Sequence, residues 1–214
     1  MCSSDLPAAA PLSVARALRE GLDYARAHPV IGPALLLAAV VSVFGFPYIF
    51  LLPALARDVL HLDAAGLGYL MAAVGGGAVV GGVGLSAAGD LPRKQLVAAV
   101  TAVLFGMALF AFALVRSVRG FMLLLFLMGA LQTACVATLN TSIQMAVDDG
   151  MRGRVMSMMT VILFGFATLG GLLVGIVGDR MGVATALAAG GLVVTLAATA
   201  SLVRAPALPR AAEI

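Results

Sequence analysis

What this chain has little of is charge. Only 11% of its 214 residues are Asp, Glu, Lys or Arg, where an average soluble domain has about 25%. Six stretches contain none: Pro29–Ala56, Ala64–Gly89, Gln95–Val115, Gly120–Val147, Val155–Gly178 and Met181–Val203. Without an acid or base inside them, these stretches carry no proton relay, buried counter-ion or catalytic acid. The only two histidines, His28 and His61, lie outside the runs. A Ser nucleophile near Ser86 therefore has no base within a run, which excludes an intramembrane serine protease. Regularly spaced arginines and a TVGYG loop are also missing, which excludes a voltage sensor and a potassium filter. No His, Cys or carboxylate cluster offers a metal site, and no cofactor is expected. Two cysteines, Cys2 and Cys135, are too few for a disulfide framework. The 13 basic residues are scattered over short loops rather than gathered in a patch, so nucleic acid is not an expected partner.

What is present is hydrophobicity: 62% of residues are apolar and the mean hydropathy is +1.11. Each charge-free run has 21 to 28 residues, and about 20 suffice to cross the hydrocarbon of a bilayer as a helix. Unpaired backbone amides are costly in lipid, so runs of this length read as helices. The expected fold is an all-α membrane protein with six transmembrane helices, and the lipid bilayer is its first partner. Lys and Arg are retained on the cytoplasmic side. With the N-terminus inside, nine of them (Arg16, Arg19, Arg26, Arg93, Lys94, Arg152, Arg154, Arg204 and Arg210) fall inside and four (Arg57, Arg116, Arg119 and Arg180) outside. Both termini are therefore expected in the cytoplasm.

Residues 1–11 show neither the basic start nor the apolar stretch of a signal peptide. The hexamer Met1–Leu6 resembles the translation of a common sequencing-library adapter, so 1–11 is expected to be non-native or disordered. From Leu12 the pattern becomes amphipathic, with Leu12, Ala15, Leu18, Leu22 and Ala25 opposite Arg16, Arg19, Glu20, Asp23 and Arg26. Residues 12–28 thus form a cytoplasmic linker, either a helix lying at the membrane surface or simply the charged lead-in to the first span. His28 and Pro29 turn the chain into the transmembrane domain, 29–203, and residues 204–214 are a cytoplasmic tail.

The second and fifth runs end alike, on Ser86–Asp90 followed by Arg93 and Lys94, and on Gly175–Asp179 followed by Arg180 and Gly182. With three helices per copy the two copies face opposite sides, an inverted 3+3 repeat. The same runs are rich in glycine, with GxxxG spacings at Gly77–Gly81 and Gly171–Gly175. Such spacings serve static close packing or helices that slide against their neighbours. No Gly-Lys-Ser/Thr follows, so these glycines form no phosphate loop.

Polar side chains concentrate in the fourth run. Gln132, Thr133, Asn140 and Gln144 fall within an arc of about 120° on one helix face. Such a stripe either lines a substrate cavity or bonds to neighbouring helices. Ser42 and Tyr48 of the first run are further candidates for the same cavity.

The segment Asn140–Ser157, with Gln144, Asp148, Asp149, Arg152, Gly153, Arg154 and Met156, resembles the signature after the tenth helix of the major facilitator superfamily, in its siderophore and macrolide exporter branch. Arg19–Tyr24 with His28 and Pro29 resembles that branch's lead-in to helix seven, and the glycines from Gly165 to Gly182 resemble its helix eleven. The resemblance covers about Leu12 to Val203 and implies the C-terminal half of a twelve-helix carrier in the cell inner (plasma) membrane. The implied partners are an N-terminal six-helix half and a small-molecule substrate. The superfamily's loop motif is matched by Gly175, Asp179, Arg180 and Gly182, and it is degenerate at Ser86–Lys94. The resemblance therefore implies gating roles for Asp90, Arg93, Lys94, Asp148, Arg152, Arg154, Asp179 and Arg180, unless those charges merely cap helices and anchor loops. The competing expectation is a stand-alone six-helix protein that dimerises or assists assembly without transport.

Overall fold

The computed structural model describes residues 14–89, 93–115 and 117–204. The expected linker is a helix, α1 (Val14–Ala27). Six helices long and apolar enough to span a membrane follow: α2 (Ile31–Asp58), α3 (Ala64–Ala87), α4 (Lys94–Leu114), α5 (Val118–Ala146), α6 (Asp149–Met181) and α7 (Val183–Arg204). No strand occurs among the described residues. The termini 1–13 and 205–214, Asp90 and Arg116 lie outside the described residues.

Helix ends follow from local chemistry. Asp63 accepts from Gly66 N (2.8 Å) to start α3, and Ser117 accepts from Gly120 N (3.3 Å) to start α5. His28 Nδ1 accepts from Val30 N (3.2 Å) and Ile31 N (3.4 Å), which supports the elbow between α1 and α2. Gly182, with φ of +90°, makes the tight turn from α6 to α7. α6 begins at Asp149, six residues before its charge-free run, because helix continues into the polar layer where Arg152 and Arg154 project.

Two spans are not regular. α2 passes through a π-helical turn at Val41–Gly45, in which Phe46 N bonds to Val41 O at 3.1 Å. Pro47 follows directly, has no N–H, and its ring crowds the carbonyl four residues back. α6 has a second π-helical turn at Val161–Phe166. The two irregular segments pack against each other.

The spans form two triplets, α2–α4 and α5–α7, which exchange contacts symmetrically. The middle helix of each triplet lies along the first helix of the other, α3 on α5 and α6 on α2, while the third helices α4 and α7 pack together. This is the contact pattern of an inverted 3+3 repeat, and glycine makes it possible. A Cβ at Gly77 or Gly81 would strike the carbonyls of Phe126 and Ala130 in α5, and one at Gly170 would strike Val43 O in α2. Between α4 and α7, a Cβ at Gly106 would sit 2.7 Å from Thr195 N, and one at Gly191 2.6 Å from Phe110 N. These glycines are sites of close packing. Gly75, Gly84 and Gly175 face open space instead.

The core holds Tyr48, Phe105, Leu125 and Met128, with Phe112 and Phe121 edge to face at 4.7 Å. Burial is uneven. Half of the most apolar stretch of α2 and of α4 is buried, against 11% for α3 and 22% for α6.

Candidate functional site

The polar face of α5 has two parts. In mid-helix, Gln132 is only 7% exposed and its Oε1 accepts from the Tyr48 hydroxyl at 2.9 Å. Tyr48 is fully buried, so this bond ties α2 to α5 just beyond the Pro47 irregularity. Thr133 is half-buried, and its methyl faces Gly82 of α3. Thr138 and Ser142, on the opposite side of α5, are buried and return their hydroxyls to Ala134 O (2.7 Å) and Thr138 O (2.8 Å), which satisfies them within the helix.

Further along, the partners run out. Asn140 is half-buried, Gln144 is exposed, and neither makes a hydrogen bond to a described residue. Ser42 is fully buried in the π-helical turn of α2, and its Oγ has no partner among the described residues. The six expected cavity residues therefore separate into one bonded pair, Tyr48 and Gln132, one buried hydroxyl, Ser42, a contact with α3 at Thr133, and two amides without a partner among the described residues.

The eight expected gating residues also separate. Asp148, Arg152 and Arg154 lie where α5 meets α6, and Arg93 and Lys94 begin α4 at the same end of the bundle. Asp179 and Arg180, both exposed, lie at the other end of α6. At 1.5 Å per residue the two groups on α6 are roughly 40 Å apart, so no single gate contains both. Asp90 lies outside the described residues.

At the α5–α6 turn the charges are engaged. The Tyr24 hydroxyl of α1 donates to Asp148 Oδ2 (2.9 Å) and accepts from Asp148 N (3.2 Å). Arg154 Nη1 pairs with Glu20 Oε2 at 2.9 Å. Between these contacts, Gly21 gives room to Met158, whose Sδ would lie 3.0 Å from a Cβ at that position. Arg152 pairs within its own helix turn with Asp149 (3.1 Å), and Lys94 Nζ reaches Met145 Sδ at 3.1 Å. The Tyr24 hydroxyl titrates above its ordinary range. The Asp148 amide that donates to it pulls the value down, but desolvation, the hydrogen bond to the carboxylate and the carboxylate's charge outweigh it.

Sequence reasoning placed Glu20 and Tyr24 in the linker but assigned neither of them a contact or a role. The signal was present in the amphipathic linker, because a half-polar helix beside the Asp148–Arg154 loop needs a partner for its polar edge. Among the described residues no three His, Cys, Asp or Glu side chains come together. The polar side chains described thus lie along α5 and at a charged turn contacted by α1.

Residues 4–213 match a family of the major facilitator type described as "Transmembrane secretion effector". No curated protein and no solved structure matches the chain.

Proposed function

We propose, from the premise that this chain belongs to the major-facilitator-type transmembrane secretion effector family, that it is the C-terminal six-helix half of a secondary active exporter of small amphipathic molecules, in the siderophore and macrolide exporter branch. The observation that carries the reading is a pair of amides, Asn140 and Gln144, that have no hydrogen-bond partner among the described residues although they lie on a membrane-spanning helix. Polar groups without partners do not persist against lipid, so this end of α5 faces a water-filled substrate path. Thr133 and Ser42 border the path, and the Tyr48–Gln132 bond braces its wall.

The missing six-helix half packs against α3 and α6, the two least buried spans, where Gly75, Gly84 and Gly175 meet nothing. Substrate then lies between the halves and crosses by alternating access. Arg93, Lys94, Asp148, Arg152 and Arg154, with Asp90, act at the cytoplasmic mouth, whereas Asp179 and Arg180 act at the opposite one. The carrier sits in the plasma membrane with both termini in the cytoplasm, and it is not an enzyme. With no Asp, Glu, Lys, Arg or His inside its six charge-free runs, a coupling carboxylate belongs to the partner half or a loop margin.

The open glycine faces also suit a second copy of this chain, which is the non-transporting alternative. Two observations separate the readings. Under the exporter reading, the DNA upstream of the Leu12 codon continues in frame through six more apolar runs, and single cysteines at Gly75 or Gly175 do not cross-link chain to chain. A separate start site at Leu12 together with efficient self-cross-linking would replace the exporter by a homodimer. For orientation, an impermeant thiol reagent should label Arg116→Cys and spare Asp90→Cys in intact cells, and the reverse pattern would invert the topology.

A further inference from the structure

We propose that the end of the bundle opposite the Asp148–Arg154 turn carries a separate ligand site, a pocket for the ring-sized apolar end of a small amphipathic molecule. The proposal goes beyond the carrier reading and does not depend on it, because the pocket is built within this six-helix unit alone.

The pocket is a cavity of about 270 Å³ where α2 and α4 end and α5 and α7 begin. Leu55 of α2, Phe112 of α4, Phe121 of α5 and Leu187 of α7 form its floor, and all four are buried. Val59, Val115 and the Gly182–Ala184 turn form its rim, and these are exposed or partly exposed. Entry is therefore from the end of the bundle. At 1.5 Å per residue along α5, Phe121 stands roughly 35 Å from Gln144, so the cavity is distinct from the polar path.

The backbone around the rim leaves the cavity unfilled. Gly182, at φ of +90°, turns α6 directly into α7, and a Cβ there would meet nothing. The segment after α2 folds back on its own helix, with Leu60 N on Leu55 O (3.1 Å) and Leu62 N on Ala56 O (2.9 Å). Leu62 then packs against Gly66 at the start of α3 instead of lining the cavity.

Among the described residues, every side chain on the wall is apolar. A polar group would lose its water there and find no side chain to replace it. An apolar cavity of about 150 Å³ stays dry and holds benzene, and this one is nearly twice that size, which gives room for a substituted ring. Phe112 and Phe121, edge to face at 4.7 Å, offer aromatic surface to which a further ring packs favourably. At the rim the surroundings change sign, since Val59 follows the exposed Arg57–Asp58 ion pair. The part of the ligand left outside is accordingly polar.

The test uses the full chain in lipid nanodiscs and a one-ring photoreactive probe, trifluoromethyl-diazirinyl benzyl alcohol, with tert-butylbenzyl alcohol as competitor and labelled residues read by peptide mass spectrometry. Labelling at Leu55, Phe112, Phe121 and Leu187 should saturate and be displaced by the competitor, while labelling of the lipid-facing surface of α3 should do neither. Ala184→Leu and, independently, Ala113→Leu fill the cavity and should weaken floor labelling at least about tenfold, as added methylenes do in a closed apolar pocket. Leu55→Ala enlarges it and should instead make a two-ring competitor, naphthylmethanol, several times more effective than the one-ring compound. Floor labelling that is absent, or that rises without saturation and ignores the competitor and the substitutions, overturns the site. A phosphatidylcholine with a diazirine on its acyl chain that labels the same floor residues despite excess competitor also overturns it, by making lipid the occupant. None of these results depends on access to Gln144, so the carrier reading stands or falls separately.

Discussion

The two parts of the polar face of α5 have the same chemistry and opposite circumstances. Gln132 is buried and bonded to Tyr48 of another span, whereas Asn140 and Gln144, two turns or more along the same face, have no described partner. An amide in a membrane helix is therefore not a cavity marker by itself. What decides is whether a neighbouring helix brings a matching group to it. At Gln132 the break in α2 does so, since Tyr48 immediately follows Pro47 and the π-helical turn. At Gln144 no described element does.

Four outcomes would sharpen or break that contrast. The largest effect is expected where both parts share their support. Gly81→Leu forces side-chain atoms into the Ala130 carbonyl, an overpacking that costs at least about 1–3 kcal/mol and more where backbone must separate, so the variant should not yield a monodisperse peak on gel filtration. Next comes Gln132→Leu, which leaves the buried Tyr48 hydroxyl unsatisfied and should cost about 1–3 kcal/mol in detergent-unfolding experiments. Adding Tyr48→Phe should then recover part of the loss, and additive losses would deny the bond its role. Tyr24→Phe removes one exposed contact and should cost no more than about 1 kcal/mol, read as faster hydrogen exchange across α1. Smallest of all, Asn140→Leu and Gln144→Leu should change stability by no more than about 0.5 kcal/mol. A loss at either position as large as that at Gln132 would mean that both parts are structural.

The six spans were legible because hydrocarbon tolerates no unpaired charge, so charge-free length alone marks them. The symmetric exchange of contacts was partly legible in the matching ends at Asp90 and Asp179, though not in which glycines would carry it. Gly171 and Gly175 have the tidier spacing, yet Gly170 makes the close backbone approach to Val43, and Gly175 faces nothing. Spacing names a helix face, while the rotation of the neighbour chooses the residue. The Tyr48–Gln132 pair escaped for a similar reason. Each residue was separately a cavity candidate, and that they meet depends on how α2, irregular from Val41 to Pro47, packs on α5. The division of the gating charges was available from helix length, because Arg152 and Asp179 are separated by a whole span.

The most direct measurement compares single cysteines at Gln132 and Gln144, in a chain otherwise free of cysteine, for their reaction with a membrane-impermeant maleimide in native membranes. Labelling at 144 should be at least about ten times faster than at 132 if the polar face divides into a brace and a water-filled path, a ratio that corresponds to about 1.4 kcal/mol of difference in access. Equal rates, or faster labelling at 132, would contradict that division and the exporter reading built on it.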